Sequence, residues 1–407
     1  MRRKRPFGPG LLVAAAFIGP GTVTTASVAG AQFGFALVWA VGFSIFATLI
    51  LQEMAARLGI IARSGLGEAL RTAVRTPFFR LLLLTLVVIG IGGGNAAFEM
   101  GNILGASVAL AEVSGLPTSS WTLVVGGLAF VLLWSGTYAA IERVLVFLVL
   151  LMSGVFLLTA LLVQPSLSDI LTGFFSPTLP AGSFVTVMAL IGTTVVPYNL
   201  FLHASTVQAK WPATLFASQA LREARRDTLL SISLGGVLTL ALVATAAAAF
   251  FRQGMALENA TSIAKQLEPL VGSHAPLLFA AGLFAAGLTS AITAPLAAAY
   301  ATAGVLGWSV DLDTGKVRLV WSTVVLIGTG LAFLGQHPLV AILLAQAVNA
   351  CLLPLLAGCL LFVMNQQNLL GSYTNGMLAN MAGGAVVLIV TGLGVFQFFR
   401  VFGMIPT

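Results

Sequence analysis

The chain is 407 residues long, 58% hydrophobic and only 8% charged, with a formal net charge of +7. Soluble domains carry roughly 25% charged residues, so the composition argues against a water-soluble enzyme or binding module and points to a bilayer as the main solvent. The cations are spread over loops rather than interleaved with aromatics on one face, which argues against nucleic acid as a partner.

A hydrocarbon core about 30 Å thick is crossed by roughly 20 apolar residues in a helix. Eleven such runs are predicted, at 11–30, 34–56, 81–111, 119–138, 144–163, 183–205, 228–250, 275–305, 318–335, 338–363 and 378–401. The first holds Gly19-Pro20-Gly21 in its middle and no small-residue cleavage site, so it reads as a mature helix rather than a signal peptide. With the amino terminus inside, sixteen of the 19 basic residues fall on the cytoplasmic side, leaving only Arg252, Lys265 and Arg400 outside. That bias follows the positive-inside rule. It predicts one multi-pass domain, 1–407, in the cell (inner or plasma) membrane, with a cytoplasmic amino terminus and an external carboxyl terminus. Cys351 and Cys359 share the tenth run at a spacing unsuited to a disulfide and are expected to be buried small hydrophobes.

Unpaired backbone inside a span is tolerated only where protein or a water-filled cavity satisfies it. Two runs carry such breaks: Ile18-Gly19-Pro20-Gly21-Thr22 in the first and Thr193-Thr194-Val195-Val196-Pro197-Tyr198-Asn199 in the sixth. If the first ten helices form two five-helix halves, at approximately 8–165 and 180–365, the breaks occupy corresponding places. Paired broken helices in an inverted repeat point to a transporter's midplane site. The expected fold is therefore an all-α polytopic membrane protein, a leucine-transporter-like 5+5 inverted repeat plus an eleventh helix.

The stretches Gly8-Pro9-Gly10-Leu11-Leu12-Val13-Ala14, Gly30-Ala31-Gln32-Phe33-Gly34, Leu51-Gln52, Ala56-Arg57-Leu58-Gly59, Val195 to His203, and Leu344-Ala345-Gln346-Ala347 together resemble the Nramp family of proton-coupled divalent-metal transporters. The resemblance covers nearly the whole chain. It implies secondary transport of a metal cation, with ligands at the two breaks and protons moving along the third and sixth helices.

The departures fall at the site itself. Where the family has Asp-Pro-Gly-Asn, with Asp and Asn as ligands, this chain has Gly19-Pro20-Gly21-Thr22; the family's methionine before the helix-6 proline is matched by Val196, and its backbone-carbonyl ligand by Thr193. Loss of a carboxylate and a thioether removes charge and softness together. The substrate-binding residues expected are Gly19, Thr22, Thr193, Val196, Tyr198, Asn199 and Gln346, with Thr22, Thr193 and Gln346 as the oxygen ligands of a metal. Thr24, Thr25, Thr194 and Asn349 extend the polar lining. Such neutral oxygen suits a hydrated hard cation or a small polar solute. For each threonine the alternative is a hydrogen bond within its own helix.

Of twelve acidic residues only Glu53 and Glu99 lie well within apolar runs. Glu53 precedes Arg57 by four residues and is expected to pair with it. Glu99 has no basic residue within a turn, and the resemblance places it and His203 on the proton pathway, although the next acid of that pathway is matched by Asn102. A structural, hydrogen-bonded role is the alternative for both. Gly90 to Asn95 is glycine-rich, but no P-loop lysine follows and no strand precedes it, so close helix packing is expected. No ATP motif or catalytic triad is present, which predicts a transporter, not an enzyme, without a cofactor. Its partners would be the lipid bilayer, a small inorganic ion or small polar solute, and protons if transport is coupled.

Overall fold

In a computed structural model of the chain, the described residues are 9–10, 13, 18–135, 138–212, 215–257, 261–309, 314–335 and 337–401. They form helices and turns with no strand. The elements used below are α1 (Pro20–Phe33), α2 (Val38–Ile61), α3 (Leu66–Ala73), α4 (Pro77–Ser114), α5 (Thr118–Ser135), α6 (Tyr138–Val163), α7 (Leu167–Phe175), α8 (Phe184–Thr194), α9 (Tyr198–Lys210), α10 (Ala217–Ala249), α11 (Ala275–Leu306), α12 (Gly315–Leu334), α13 (Pro338–Met364) and α14 (Met377–Val401).

Nine described helical spans are long and apolar enough to cross a membrane, the α8–α9 pair counting as one. Of the two remaining predicted runs, the fifth is α6, which bends by 109° into α7, and the first is described only through its second half, the 14-residue α1. Leucines such as Leu161, Leu230, Leu319 and Leu388 are exposed on the outside of the bundle. In lipid this is the favourable arrangement, because hydrocarbon rather than water meets them.

Two groups of helices can be told apart, which also meet directly where α1 touches α4 and α9 touches α11. In one, α10 lies along α1 and α2, and α8 and α9 lie along α2; in the other, α4 lies along α11, α12 and α5. Helix α13 bridges them, touching α8 on one side and α4 on the other. The broken span Phe184–Gln208 is 94% buried against 17% for the eleventh helix, so the breaks occupy the molecule's centre and α14 its edge.

Helix ends depart from the predicted runs for physical reasons. The seventh predicted run starts at 228, yet α10 begins at Ala217, because the charged turn Arg222 to Asp227 continues the helix beyond its apolar part. The short helices α3 and α7 were not predicted. Cys359 is buried as expected, but Cys351 is exposed: α13 turns it outward, since positions eight apart on a helix do not share one burial depth. In the glycine-rich stretch only Gly90 and Gly94 pack closely, both against Leu352 of α13, while Gly92 and Gly93 meet nothing.

Candidate site at the two helix breaks

Helix α1 starts abruptly. Gly19 is extended (φ −115°, ψ −174°) and offers no side-chain cap, Pro20 occupies the first helical position, and the first helical hydrogen bond runs from the Val23 N–H to the Gly19 carbonyl at 3.1 Å. Proline is pre-set for that position and lacks the N–H that would otherwise be orphaned. The positive end of the α1 dipole therefore sits at the break.

Helix α8 ends in the opposite sense. Its last bond is Val195 N–H to Ile191 carbonyl at 2.8 Å, and Pro197 stands where the Thr193 carbonyl would need a donor. Proline has none to give. The Thr194 carbonyl is instead met by the Thr48 hydroxyl of α2 at 3.3 Å.

The two breaks touch. Thr22 Oγ1 and Thr193 Oγ1 lie 2.8 Å apart, both buried. Thr194, by contrast, donates to the Leu190 carbonyl of its own helix at 3.0 Å, which is the local alternative open to every threonine here.

Gln346 of α13 reaches into the same region. A Cβ on Gly21 would collide with its amide, and one on Gly101 of α4 would stand 3.4 Å from its Nε2, so the side chain lies between α1 and α4. A Cβ on Gly19 would come within 2.9 Å of Ser290 Oγ on α11 and 3.8 Å of Asn102 Oδ1 on α4. Glycine at 19 and 21 is what lets these polar groups close on the break.

Several buried polar groups find no hydrogen-bond partner among the described residues. They include both amide atoms of Gln346 and of Asn199, Asn102 Oδ1, and the hydroxyls of Thr24, Thr25 and Ser290. Buried polar groups are almost always paired, and an unpaired one costs about 1–3 kcal/mol. Of these, Gln346 lies against Gly21, and Ser290 and Asn102 lie against Gly19, so unpaired polar groups from α4, α11 and α13 meet at the first break. Tyr198 and Val196 pack in an apolar cluster with Phe98 and Ile232, which Ile18 beside Gly19 adjoins, and the Tyr198 ring meets Phe98 edge-on at 5.4 Å.

Glu99 is fully buried one step from the break. Its Oε2 accepts from Asn102 Nδ2 at 3.4 Å, and its stem packs on Gly328 of α12. His203 of α9 is 0% exposed and its Nδ1 lies 2.9 Å from Gln52 Oε1 of α2, placing it beside α2 rather than in the cluster of unpaired groups around Gly19 and Gly21. Among the described residues no three of His, Cys, Asp and Glu gather into a metal-binding group.

One end of the bundle is tied by charge. Glu53 pairs with Arg57 at 3.1 Å, as expected, and also with Arg225 of α10 at 2.8 Å. Arg57 donates further to the Tyr373 carbonyl at 3.0 Å and to Asn375 Oδ1 at 2.7 Å, while the Gly10 N–H donates to Asp227 Oδ2 at 2.7 Å. These contacts bring the amino-terminal segment, α2, α10 and the segment before α14 together. Ser290 and the second partner of Glu53 were not anticipated; a lone serine in an alanine-rich helix and a partner 172 residues away leave no local signal.

The family described as natural resistance-associated macrophage protein-like (Nramp) matches residues 10–400. The divalent metal cation transporter MntH of Klebsiella pneumoniae (strain 342) is 27% identical over 390 residues, covering 95% of this chain and 92% of its own length. MntH of Deinococcus radiodurans is 26% identical over 412 positions, covering 99% and 92%. Among solved structures, the Eremococcus coleocola manganese transporter bound to an aromatic bis-isothiourea compound superposes with TM-score 0.77 at 23% identity, covering 98% of this chain and 88% of that one. Mhp1, a nucleobase-cation-symport-1 family transporter, superposes with TM-score 0.51 at 15% identity, covering 99% and 94%. Both likenesses speak to fold, that of a leucine-transporter-like membrane protein. With the family match spanning nearly its whole length, the chain belongs to the Nramp family and is a membrane transporter rather than an enzyme.

Proposed function

We propose that this chain is a secondary active transporter of a small, hard divalent metal cation, bound between the two helix breaks by neutral oxygen. The ligands in this reading are the hydroxyls of Thr22 and Thr193, the amide oxygens of Gln346 and Asn199, and the Thr193 carbonyl freed by Pro197. The observation that carries it is the 2.8 Å approach of the Thr22 and Thr193 hydroxyls beside the unpaired Gln346 amide. Metal transport is supported by the divalent metal cation transporters among the relatives.

Hardness follows from the donor set. Oxygen suits magnesium-like and calcium-like ions, whereas thioether selects softer metals, and Val196 brings no sulfur. A dication held without a carboxylate must keep part of its water shell, as small hard cations do. Glu99, held by Asn102, is in this reading the group by which a proton would be coupled.

The remaining assignments belong to the same reading: one domain, 1–407, with repeats at approximately 8–165 and 180–365, a cytoplasmic amino terminus, and residence in the inner or plasma membrane. Arg225 meets Glu53 and Lys210 meets Asp227 at one end, while Arg252 meets Asp169 of α7 at 3.5 Å, both in segments expected outside, in keeping with that topology.

The uncharged lining also favours a second reading, carriage of a neutral or organic polar solute. Uptake into proteoliposomes of magnesium, manganese, cadmium, an amine and an amino acid separates the two. Magnesium uptake supports the proposal; uptake confined to an organic solute replaces it.

A further inference from the structure

Between α3, α4 and α11 an open cavity of about 620 Å³ is lined by Arg71, Arg75 and Arg80 together with Thr72, Leu84 and Leu306. It lies at the end of the bundle where α3 finishes, α4 begins and α11 finishes, far along α4 from Glu99 and along α11 from Ser290. The basic bias of the loops assigns this end to the cytoplasm.

Each wall of the cavity has a charge for a local reason. Arg71 lies over Gly307, the left-handed residue (φ +71°) that ends α11, where free helix carbonyls attract a cation. Arg75 and Arg80 flank the start of α4, a 38-residue helix whose N-cap Thr76 makes no side-chain capping bond. The dipole there adds positive potential to that of the arginines.

No described carboxylate answers these three guanidiniums. Glu68, the acid on α3, is turned back to cap its own helix, accepting from the Gly65 N–H at 3.1 Å. A concave site with three arginines and a helix N-terminus therefore offers its field to an anion from outside.

What surrounds the cavity says which anion. Phe78, Phe79 and Leu81 on the first turn of α4 are 69%, 61% and 69% exposed, so an apolar collar adjoins the basic pocket. A soluble anion has no use for such a collar. A phospholipid presents both parts at once, a phosphodiester at the depth of the arginines and acyl chains along the collar, and basic pockets between helices at the cytoplasmic face bind such headgroups. Leu84 and Leu306 on the cavity wall continue the apolar path inward.

We propose that this cavity is a binding site for the headgroup of an anionic phospholipid, held by Arg71, Arg75 and Arg80. Bound there, the lipid ties the ends of α4 and α11, the two helices that carry Asn102 and Ser290 to the cargo site. The proposal stands apart from the identity of the cargo.

The test uses the purified full-length chain in neutral detergent, titrated with phosphatidylglycerol, phosphatidylcholine or inorganic phosphate, and read by native mass spectrometry and thermal unfolding. Phosphatidylglycerol should be retained and should raise the unfolding midpoint, and phosphatidylcholine should do neither. Each arginine near an anionic lipid is worth about fivefold in affinity, so R71Q/R75Q/R80Q should bind about a hundredfold more weakly. R71K/R75K/R80K keeps the charge and should stay within about fivefold of the unmodified chain. Should the glutamine triple fail to fold, R75Q/R80Q leaves Arg71 on Gly307 and should lose about 25-fold.

Equal binding of the two lipids, or undiminished phosphatidylglycerol binding by the glutamine variants, overturns the proposal. So does stabilisation by inorganic phosphate alone, which would assign the pocket to a soluble anion. A triple variant that loses stability without lipid yet retains phosphatidylglycerol also overturns it, assigning the arginines to the loop of Asp311 and Asp313, which lies outside the described residues.

Discussion

Gln346 of α13 lies directly on the backbone of Gly21 in the first turn of α1, so closely that a single methyl group at 21 would displace its amide. Gly21→Ala should therefore reduce uptake, and Gly21→Trp or Thr193→Trp should abolish it, while the protein remains folded and inserted. Size-exclusion profiles alongside the uptake assay check this. Normal transport by the tryptophan variants would move the site away from the breaks.

Glu99 accepts from Asn102 Nδ2 at 3.4 Å, and Asn102 Oδ1 faces the break at Gly19. Glu99→Gln keeps shape and hydrogen bonding but cannot release a proton. If a proton travels with the cargo, substrate-driven acidification of the liposome lumen should vanish in this variant even where some uptake persists, and Asn102→Ala should weaken it. Proton flux unchanged by either substitution would return Glu99 to a packing role against Gly328.

With glycine at 19 and valine at 196, binding of cadmium or manganese should be no tighter than roughly millimolar, a free energy near 4 kcal/mol. Gly19→Asp with Val196→Met restores charge and sulfur, but a Cβ at 19 would meet Ser290 Oγ at 2.9 Å. Adding Ser290→Ala should be needed for the restored pair to bind cadmium measurably by calorimetry. Micromolar cadmium binding by the unmodified chain would reveal a replacement site.

The two partners of Glu53 should not contribute equally. Arg57 has an 8% exposed side chain and four described acceptors, whereas Arg225 is 54% exposed. Removing a buried partner costs about 3 kcal/mol, and an exposed one at most about 1 kcal/mol. Thermal unfolding in detergent should therefore show a several-fold larger loss for Arg57→Ala than for Arg225→Ala. Equal losses would mean that the bonds from Arg57 to Tyr373 and Asn375 add nothing.

Where the chain punctuates itself, the architecture was legible. Gly19-Pro20 and Val196-Pro197 mark the breaks because proline has a fixed φ and no N–H, and those signals survive any packing. The helix α3 was not legible from apolar runs: it buries only Leu66, Gly67, Ala69 and Leu70, and its average is polar enough to pass for a loop. The candidate site could be read as a list of residues at the two breaks and on α13, among them Gln346, but not as a set of neighbours. That Thr22 faces Thr193 while Thr194 turns back on its own helix depends on how α1 and α8 meet, which spacing along either helix does not carry. Ser290 enters only because α11 packs along α4.

A hard divalent cation held at the breaks by neutral oxygen from Thr22 and Thr193 is tested most directly by initial-rate magnesium uptake into proteoliposomes by the unmodified chain and by Thr22→Val/Thr193→Val, with cadmium as the competing ion. Valine keeps the shape of threonine and removes only the hydroxyl. At about 1.4 kcal/mol for each tenfold of affinity, loss of two hydroxyl ligands should weaken magnesium uptake at least about tenfold, with cadmium a poor competitor throughout. Magnesium uptake undiminished in the double variant, or cadmium transported in preference to magnesium by the unmodified chain, would contradict the account.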